Sequence, residues 1–270
     1  MNRETTRLLV TRVRMQLFAF NPIQNLFQFP SMTEDDLFVD WTIFKENLEL
    51  ASYNEDEISE VFHAFVISYV GHLFAAKRKS GEAYFYHLFR CGMKMLFDQI
   101  TLKVKDKDAV ITILLHDIIE EAEKSSTVFS PHLVFITKKI VVDYFNERIA
   151  EMVSTLSRNK KNGEGRIEHL ERVSSSQFFQ VLWGKLTDIR DNFDTLKSMP
   201  LEKQKSKFVE AKEKLPNLLD RLEFLVDRAL KDKSISGEGW RGLRTLIESD
   251  LKKSIKQQKE RLREEGVLIP

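Results

Sequence analysis

Apolar residues recur at helical spacing along most of the chain, and no stretch shows the alternation of apolar and polar positions that marks a half-buried strand. Between Glu57 and Lys77, for example, Val61, Phe65 and Tyr69 fall on one helical face. Only 10 glycines and 6 prolines occur among 270 residues, so few positions favour turns. The pattern predicts an all-α fold, with helices over residues 57–77, 84–99, 107–121, 165–173, 177–196, 202–232 and 240–264 and two more within 132–157.

The two ends of the chain differ from this middle part. Residues 1–55 are irregular, with Pro22, Pro30 and an acidic cluster at 34–36, and are predicted to form a short helix and a loop. Four phenylalanines would pack this segment on the main body: Phe18, Phe20, Phe27 and Phe29. Beyond Pro200 the predicted helices are highly charged with narrow apolar stripes, which favours a C-terminal hairpin. The chain is therefore divided into an N-terminal extension (1–56), a main domain (57–200) and a C-terminal helical extension (201–270).

Composition narrows the class of protein. Lysine and arginine number 42 against 41 acidic residues, a net charge of +1, which argues against a nucleic-acid or membrane-surface binder. The single cysteine, Cys91, excludes an intramolecular disulfide and any multi-cysteine zinc site. No apolar run approaches the roughly 20 residues of a membrane span, and the N-terminus lacks the pattern of a secretory signal. We expect a cytoplasmic protein with no nucleic-acid or membrane partner, and amphipathic terminal helices leave a homo-oligomer possible.

Ionisable residues follow directly on the most apolar predicted helix. Residues 109–115 are apolar on nearly every side, and His116, Asp117, Glu120 and Glu121 come immediately after them. On a continuous helix, His116 would share a face with Glu120, and Asp117 with Glu121. Burying such groups costs several kcal/mol each unless they are paired or bind a cation. Either this helix end reaches the surface, or it lines a metal cleft.

Two further segments favour the metal cleft. His87 lies in an aromatic stretch of the preceding predicted helix, where a lone histidine would more often be an ordinary core residue. Asp188 and Asn192 share a helical face inside another apolar segment. Together, His87, His116, Asp117 and Asp188 offer two imidazoles and two carboxylates, a set that suits Mn²⁺, Fe²⁺ or Zn²⁺. Four protein ligands would leave positions on a six-coordinate ion for water and substrate, as hydrolysis requires.

The order of these four residues resembles the HD superfamily of metal-dependent phosphohydrolases. Other segments narrow the resemblance to the hydrolase domain of the RelA/SpoT homologues, which degrade the alarmone (p)ppGpp. These segments are Arg78-Lys-Ser-Gly-Glu82 ahead of Tyr84-Phe-Tyr-His87, the acids Glu120 and Glu121, residues 144–153, Lys185-Leu-Thr-Asp188 with Asn192, and Thr195-Leu196. The resemblance covers about residues 57–215. With no room for a synthetase domain after Asn192, the chain looks like a small alarmone hydrolase.

The resemblance implies a fold, an activity and a role for each matched residue. The fold would be an HD-domain helical bundle with extra N- and C-terminal helices. The substrate would be a small nucleotide, (p)ppGpp, and loss of its 3′-diphosphate would give GDP or GTP and pyrophosphate. Mn²⁺ or another divalent ion would be held by the four residues above. Glu120 and Glu121 would act as acid–base residues, and substrate would be bound by Arg78, Lys79, Asn192 and Thr195.

The chain also departs from the family pattern, and other functions stay open. Leu88 stands where the family usually has Pro, Glu121 where it has Asp, and Asp191 where it has His. One alternative is an HD phosphohydrolase acting on a nucleoside monophosphate or NADPH, and another is a non-catalytic alarmone-binding module. The basic residues at 158–161 fit either a pyrophosphate contact or a flexible loop. The histidines that match no motif are taken as ordinary polar or core residues: His63, His72, His132 and His169.

Overall fold

A computed structural model of the protein describes residues 3–18, 33–72, 75, 78, 81–125 and 133–267. Within these ranges the regular structure is helical, with short 3₁₀ turns and no strand, which confirms the all-α prediction. The α-helices are α1 (Arg3–Phe18), α2 (Glu34–Leu50), α3 (Glu55–Gly71), α4 (Phe85–Leu102), α5 (Lys107–Leu115), α6 (Ile118–Ser125), α7 (Leu133–Tyr144), α8 (Glu147–Leu156), α9 (Arg166–Ser174), α10 (Phe179–Asp194), α11 (Leu201–Lys231) and α12 (Leu243–Glu264).

Helix α5 forms the centre of the bundle. Its residues from Ala109 to Leu115 are all buried, as expected for a helix that is apolar on every side. It packs against α3, α4, α8 and α10. Its first turn is capped by Asp106, whose side chain accepts a hydrogen bond from the Ala109 amide at 2.8 Å. Because α5 is buried up to its last residue, Leu115, the next residue, His116, lies in the interior of the bundle.

The N-terminal segment contains more helix than the sequence predicted. Instead of one short helix and a loop, the described part has two helices: α1 packs on α3 and α7, and α2 packs on α3 and α4. The acidic cluster at 34–36 is the first turn of α2, because Thr33 and Asp36 form a reciprocal capping box. Acidic side chains are favoured in this position by the helix dipole. The side chain of Phe18 and residues Phe20, Phe27 and Phe29 lie outside the described residues.

The C-terminal helices form the predicted hairpin. Helices α11 and α12 pack on each other and on α10. Arg190 of α10 links this hairpin to α4, since it donates to Asp98 of α4 at 2.9 Å and pairs with Asp250 of α12 at 2.7 Å. In the part of the chain that the structure describes, no helix has the length and apolarity that crossing a bilayer requires. The limits 56 and 200 between domain and extensions stay predictions.

Candidate active site

A break in the helical path places His116 and Asp117 at the candidate site. The sequence predicted one helix over 107–121, which is wrong, because α5 ends at Leu115 and α6 begins at Ile118. The break contains no glycine or proline. Instead, Ser157 at the end of α8 donates a hydrogen bond from Oγ to the His116 carbonyl at 2.7 Å, which satisfies a group that the break leaves free. The helix resumes where the Glu121 amide donates to the Asp117 carbonyl at 2.9 Å.

The four residues predicted as metal ligands converge on one point. Nε2 of His87 lies 3.3 Å from Oδ1 of Asp188, and Nε2 of His116 lies 3.4 Å from Oδ2 of Asp117. The two crossed pairs, His87 with Asp117 and His116 with Asp188, are each 4.0 Å apart. Ligand atoms that share one ion at about 2.0–2.2 Å lie about 3.0–3.5 Å from one another. His87, His116 and Asp117 could therefore hold a metal ion together. Asp188 lies beside them as a candidate fourth ligand, and the two crossed pairs would have to close by about 0.5–1 Å to share one ion.

Each imidazole is held in its orientation by a contact of Nδ1, the ring nitrogen that faces away from the candidate site. Nδ1 of His116 lies 2.7 Å from the carbonyl oxygen of Ile113, and because that oxygen only accepts, Nδ1 carries the proton. Its Nε2 is buried and has no hydrogen-bond partner among the described residues. Nδ1 of His87 contacts Oδ2 of Asp191 at 2.7 Å, so its Nε2 also faces the site. A protein–imidazole–metal arrangement of this kind fixes the ring and makes it a better ligand.

The two candidate carboxylate ligands are also held in place. Asp117 accepts a hydrogen bond from the Tyr84 hydroxyl at 2.6 Å. Asp188 accepts one from Lys185 at 2.9 Å and one from the side chain of Asn192 at 2.6 Å. These contacts leave both carboxylates facing the same point while restricting their rotation.

The pKa values of these groups show that the site favours positive charge. Burial raises the pKa of Asp117, but the imidazoles of His116 and His87 outweigh burial and hold it well below its usual range. Burial lowers the pKa of His87, but contacts with Cys91, Asp188 and Asp191 outweigh this effect and raise it well above its ordinary value. A divalent cation would supply that positive charge by displacing the Nε2 proton of His87. The orphan Nε2 of His116 and the paired acids thus fit a metal ion.

The candidate ligands open into a basic cleft. Six cationic side chains from separate parts of the chain line it: Arg78, Arg158, Lys160, Arg166, Lys185 and Lys207. Four acids also line it: Asp117, Glu120, Asp188 and Glu210. Because two of these acids belong to the candidate metal site, the rest of the cleft is electropositive and suits a polyanion.

The structure separates the two acids predicted to act in catalysis. Glu120 lines the cleft, where its carboxylate accepts a hydrogen bond from the Arg158 amide at 2.9 Å and pairs with Lys160. Glu121 pairs with Lys124 at 2.8 Å and is not among the described residues that line the cleft.

The predicted substrate-binding residues are placed as follows. Arg78 and Asn192 line the cleft and contact each other, with 3.0 Å between the guanidinium and the Asn192 side-chain oxygen. Thr195 lies at the end of α10 and donates to the Asp191 carbonyl at 2.9 Å, away from the described cleft lining. Lys79 lies outside the described residues.

The sequence analysis gives no role to several residues of the site. Tyr84 and Lys185 belong to segments that carry the resemblance, and each lies three residues before a candidate ligand, a helical spacing that could have indicated its role. Arg166 and His169 come from α9, and Lys207 and Glu210 from α11, each pair also three residues apart. His169, taken as an ordinary polar or core residue, is 4% exposed and lines the cleft.

Comparison with known proteins gives a distant similarity. The chain is 29% identical over 145 aligned residues to a Mycoplasma genitalium protein named probable guanosine-3′,5′-bis(diphosphate) 3′-pyrophosphohydrolase. The alignment covers 48% of this chain but 17% of that relative, so the chain spans less than a fifth of the relative's length. No protein-family model matches the chain. The similarity supports a distant relationship to that class of hydrolase.

Proposed function

We propose that the protein is a metal-dependent hydrolase that removes the 3′-diphosphate of (p)ppGpp, giving GDP or GTP and pyrophosphate. The observation that carries the proposal is the meeting of His87, His116, Asp117 and Asp188 around one point in a basic cleft. The name of the distant Mycoplasma genitalium relative supports the same reaction. A nucleotide with phosphates at two positions also needs more cations than a nucleoside monophosphate, and six line the cleft.

The reaction requires electrophilic help at phosphorus and a nucleophilic water. A divalent ion, for which we propose Mn²⁺, would supply both by binding a phosphate oxygen and lowering the pKa of water. Lys160 and Arg158 lie beside Glu120 in the cleft, and we infer that they contact the phosphates that leave. Arg78 and Asn192, on another part of the lining, offer a guanidinium that stacks on a base and an amide for the ribose.

Two acids line the described cleft outside the candidate ligands, and of these Glu210 is paired with Arg166 and Lys207. We take Glu120 as the acid for proton transfer. Its carboxylate is fixed by the Arg158 amide and by Lys160, and its side chain is 12% exposed. From this position we infer that Glu120 orients the attacking water, accepts its proton and returns a proton to the leaving 3′ oxygen. Glu121, which pairs with Lys124, would act only by supporting α6.

The test is product analysis by anion exchange after incubation with ppGpp and Mn²⁺. We expect equal amounts of GDP and pyrophosphate, lost after chelation and in Asp117→Ala. Glu120→Gln should lower kcat at least 100-fold, the scale of general acid–base catalysis, and Glu121→Gln much less. Asp143→Asn, which removes an exposed acid on α7, is the matched control.

Different failures point to different alternatives. If ppGpp stays intact while Mn²⁺ binds, the substrate assignment is wrong, and nucleoside monophosphates and NADPH become the substrates to test. If ppGpp binds without turnover and without metal, the protein is an alarmone-binding module.

A further inference from the structure

The carboxylate of Asp191 connects the two halves of the site. It lies on α10, three residues after Asp188, and its side chain is 0% exposed. Its Oδ2 contacts Nδ1 of the candidate metal ligand His87 at 2.7 Å and the guanidinium of Arg78 at 3.5 Å. One buried carboxylate therefore contacts both a candidate metal ligand, His87, and a candidate nucleotide-binding residue, Arg78.

Two further cations from α4 hold this carboxylate. Arg90 donates to Asp191 at 2.9 and 3.1 Å, and Lys94 donates at 3.0 Å. Each of these cations also has a second acid: Glu82 accepts two hydrogen bonds from Arg90, and Asp194 pairs with Lys94 at 3.1 Å. Burying a carboxylate costs several kcal/mol unless cations compensate it. The α4 cations provide that compensation and fix the position of Asp191 against His87 and Arg78.

We propose that Asp191 is a positioning residue that sets the affinity of the site for its divalent cation through His87 and its affinity for the nucleotide through Arg78. The inference rests on the proposed function. Asp191 keeps the His87 ring turned so that Nε2 faces the other three ligands, and its charge increases the electron-pair donation of that nitrogen. It also anchors the Arg78 guanidinium beside Asn192.

The charge of Asp191, and not only its hydrogen bond, is needed in this chain. A histidine, which the resemblance expects here, could accept one hydrogen bond from His87. It would bring no negative charge to Arg78, Arg90 and Lys94, whose ammonium and guanidinium groups surround this position. Asp191→Asn is the variant that separates these properties, because it keeps the shape and an accepting oxygen but removes the charge.

The first measurement is Mn²⁺ binding to the nucleotide-free protein, followed by the electron paramagnetic resonance signal of free Mn²⁺. We expect Asp191→Asn to bind Mn²⁺ about 10- to 100-fold more weakly than wild type, the usual cost of losing an outer partner of a metal ligand. Asp194→Asn is the matched control, because it removes an acid from the same helix that also pairs with Lys94 but lies 40% exposed. Its Mn²⁺ affinity should stay within about twofold of wild type.

The second measurement separates the effect of Asp191 on metal affinity from its effect on nucleotide affinity. At Mn²⁺ concentrations that saturate Asp191→Asn, kcat should return toward the wild-type value while KM for ppGpp stays raised, because Arg78 remains poorly anchored. Equal Mn²⁺ affinity in wild type and Asp191→Asn would overturn the inference and leave the proposed function standing. Absence of Mn²⁺ binding by wild type would overturn the proposed function and the inference with it. If Asp191→Asn does not fold, Asp191→His takes its place, because it keeps an acceptor for His87 without the negative charge, and wild-type Mn²⁺ affinity in that variant would likewise overturn the inference.

Discussion

Replacing His169 should change how the stability of the protein depends on pH. Burial, followed by the nearby charges of Lys185 and Arg172, lowers the pKa of His169 from 6.5 to about 3 in the folded protein. Below pH 6.5 the unfolded chain takes up a proton at this position and the folded protein does not. The contribution of His169 to stability is therefore fully present above pH 6.5 and is lost as the pH falls from 6.5 toward 3.

The size of this effect follows from the two pKa values. At pH 5 the unfolded state lies 1.5 pH units below its pKa, which corresponds to a loss of about 2 kcal/mol relative to pH 7.5. This figure holds for any folded pKa below about 4, because the folded imidazole is then neutral at both pH values. Between pH 7.5 and pH 5, the wild type should lose about 2 kcal/mol more unfolding free energy than His169→Asn, which has no group that titrates at this position.

The assay is urea unfolding at pH 7.5, 6 and 5 in chelator, so that no metal binding contributes. The cost of the substitution at pH 7.5 serves as the internal reference, because both side chains are then neutral. Wild type and variant losing the same free energy between pH 7.5 and 5 would refute the reasoning, since His169 would then titrate alike in both states.

Three other substitutions test separate parts of the structure. Asp98→Ala should destabilise the protein by about 2–3 kcal/mol in urea unfolding, because it leaves the Trp183 indole N–H without its acceptor and Arg190 with Asp250 alone, whereas Asp250→Ala, at a half-buried position, should cost about 1 kcal/mol. Lys207→Met should raise KM for ppGpp about tenfold, since Lys207 lines the cleft half-buried and is held loosely, with contacts of 3.4 and 3.5 Å to Glu210, while Lys205→Met, on the same helix but outside the described cleft lining, should not. Gly92→Ala should cost about 1–3 kcal/mol in the same unfolding assay, because its Cβ would lie 2.8 Å from the Phe44 ring and 3.0 Å from Leu114. Wild-type values in any of the three would contradict the contact concerned.

The sequence predicted the parts of the fold that depend on local pattern. Residues 109–115 are apolar on nearly every side, which predicted a buried central helix, and α5 is that helix. The prediction of one short helix and a loop for residues 1–55 does not include a second helix, although the Thr33-x-x-Asp36 spacing is a helix-start signal. Helix α2 was therefore predictable, but the two prolines before it and the irregular pattern of residues 1–55 favoured a loop instead.

The break after Leu115 could not be predicted in the same way. It has no glycine or proline, and it is stabilised by Ser157, which lies 41 residues farther along the chain. The same limit applies to the candidate site. His87, His116, Asp117 and Asp188 were found as residue types in a motif, but the partners that orient them come from distant segments. Asp191 and His87 are 104 residues apart, and no local pattern indicates their contact.

Helix α10 explains why the C-terminal hairpin bears on the candidate site. Asp188, Asp191 and Asn192 all belong to this helix, so their positions depend on how it is packed. Arg190 ties it to α4 through Asp98 and to α12 through Asp250, and the ring of Phe193 packs against Phe208 of α11 at 5.4 Å. Helix α11 also sends Lys207 and Glu210 into the cleft. Residues after 200 were predicted as an extension, but they support the helix that carries the candidate ligands and form part of the cleft wall.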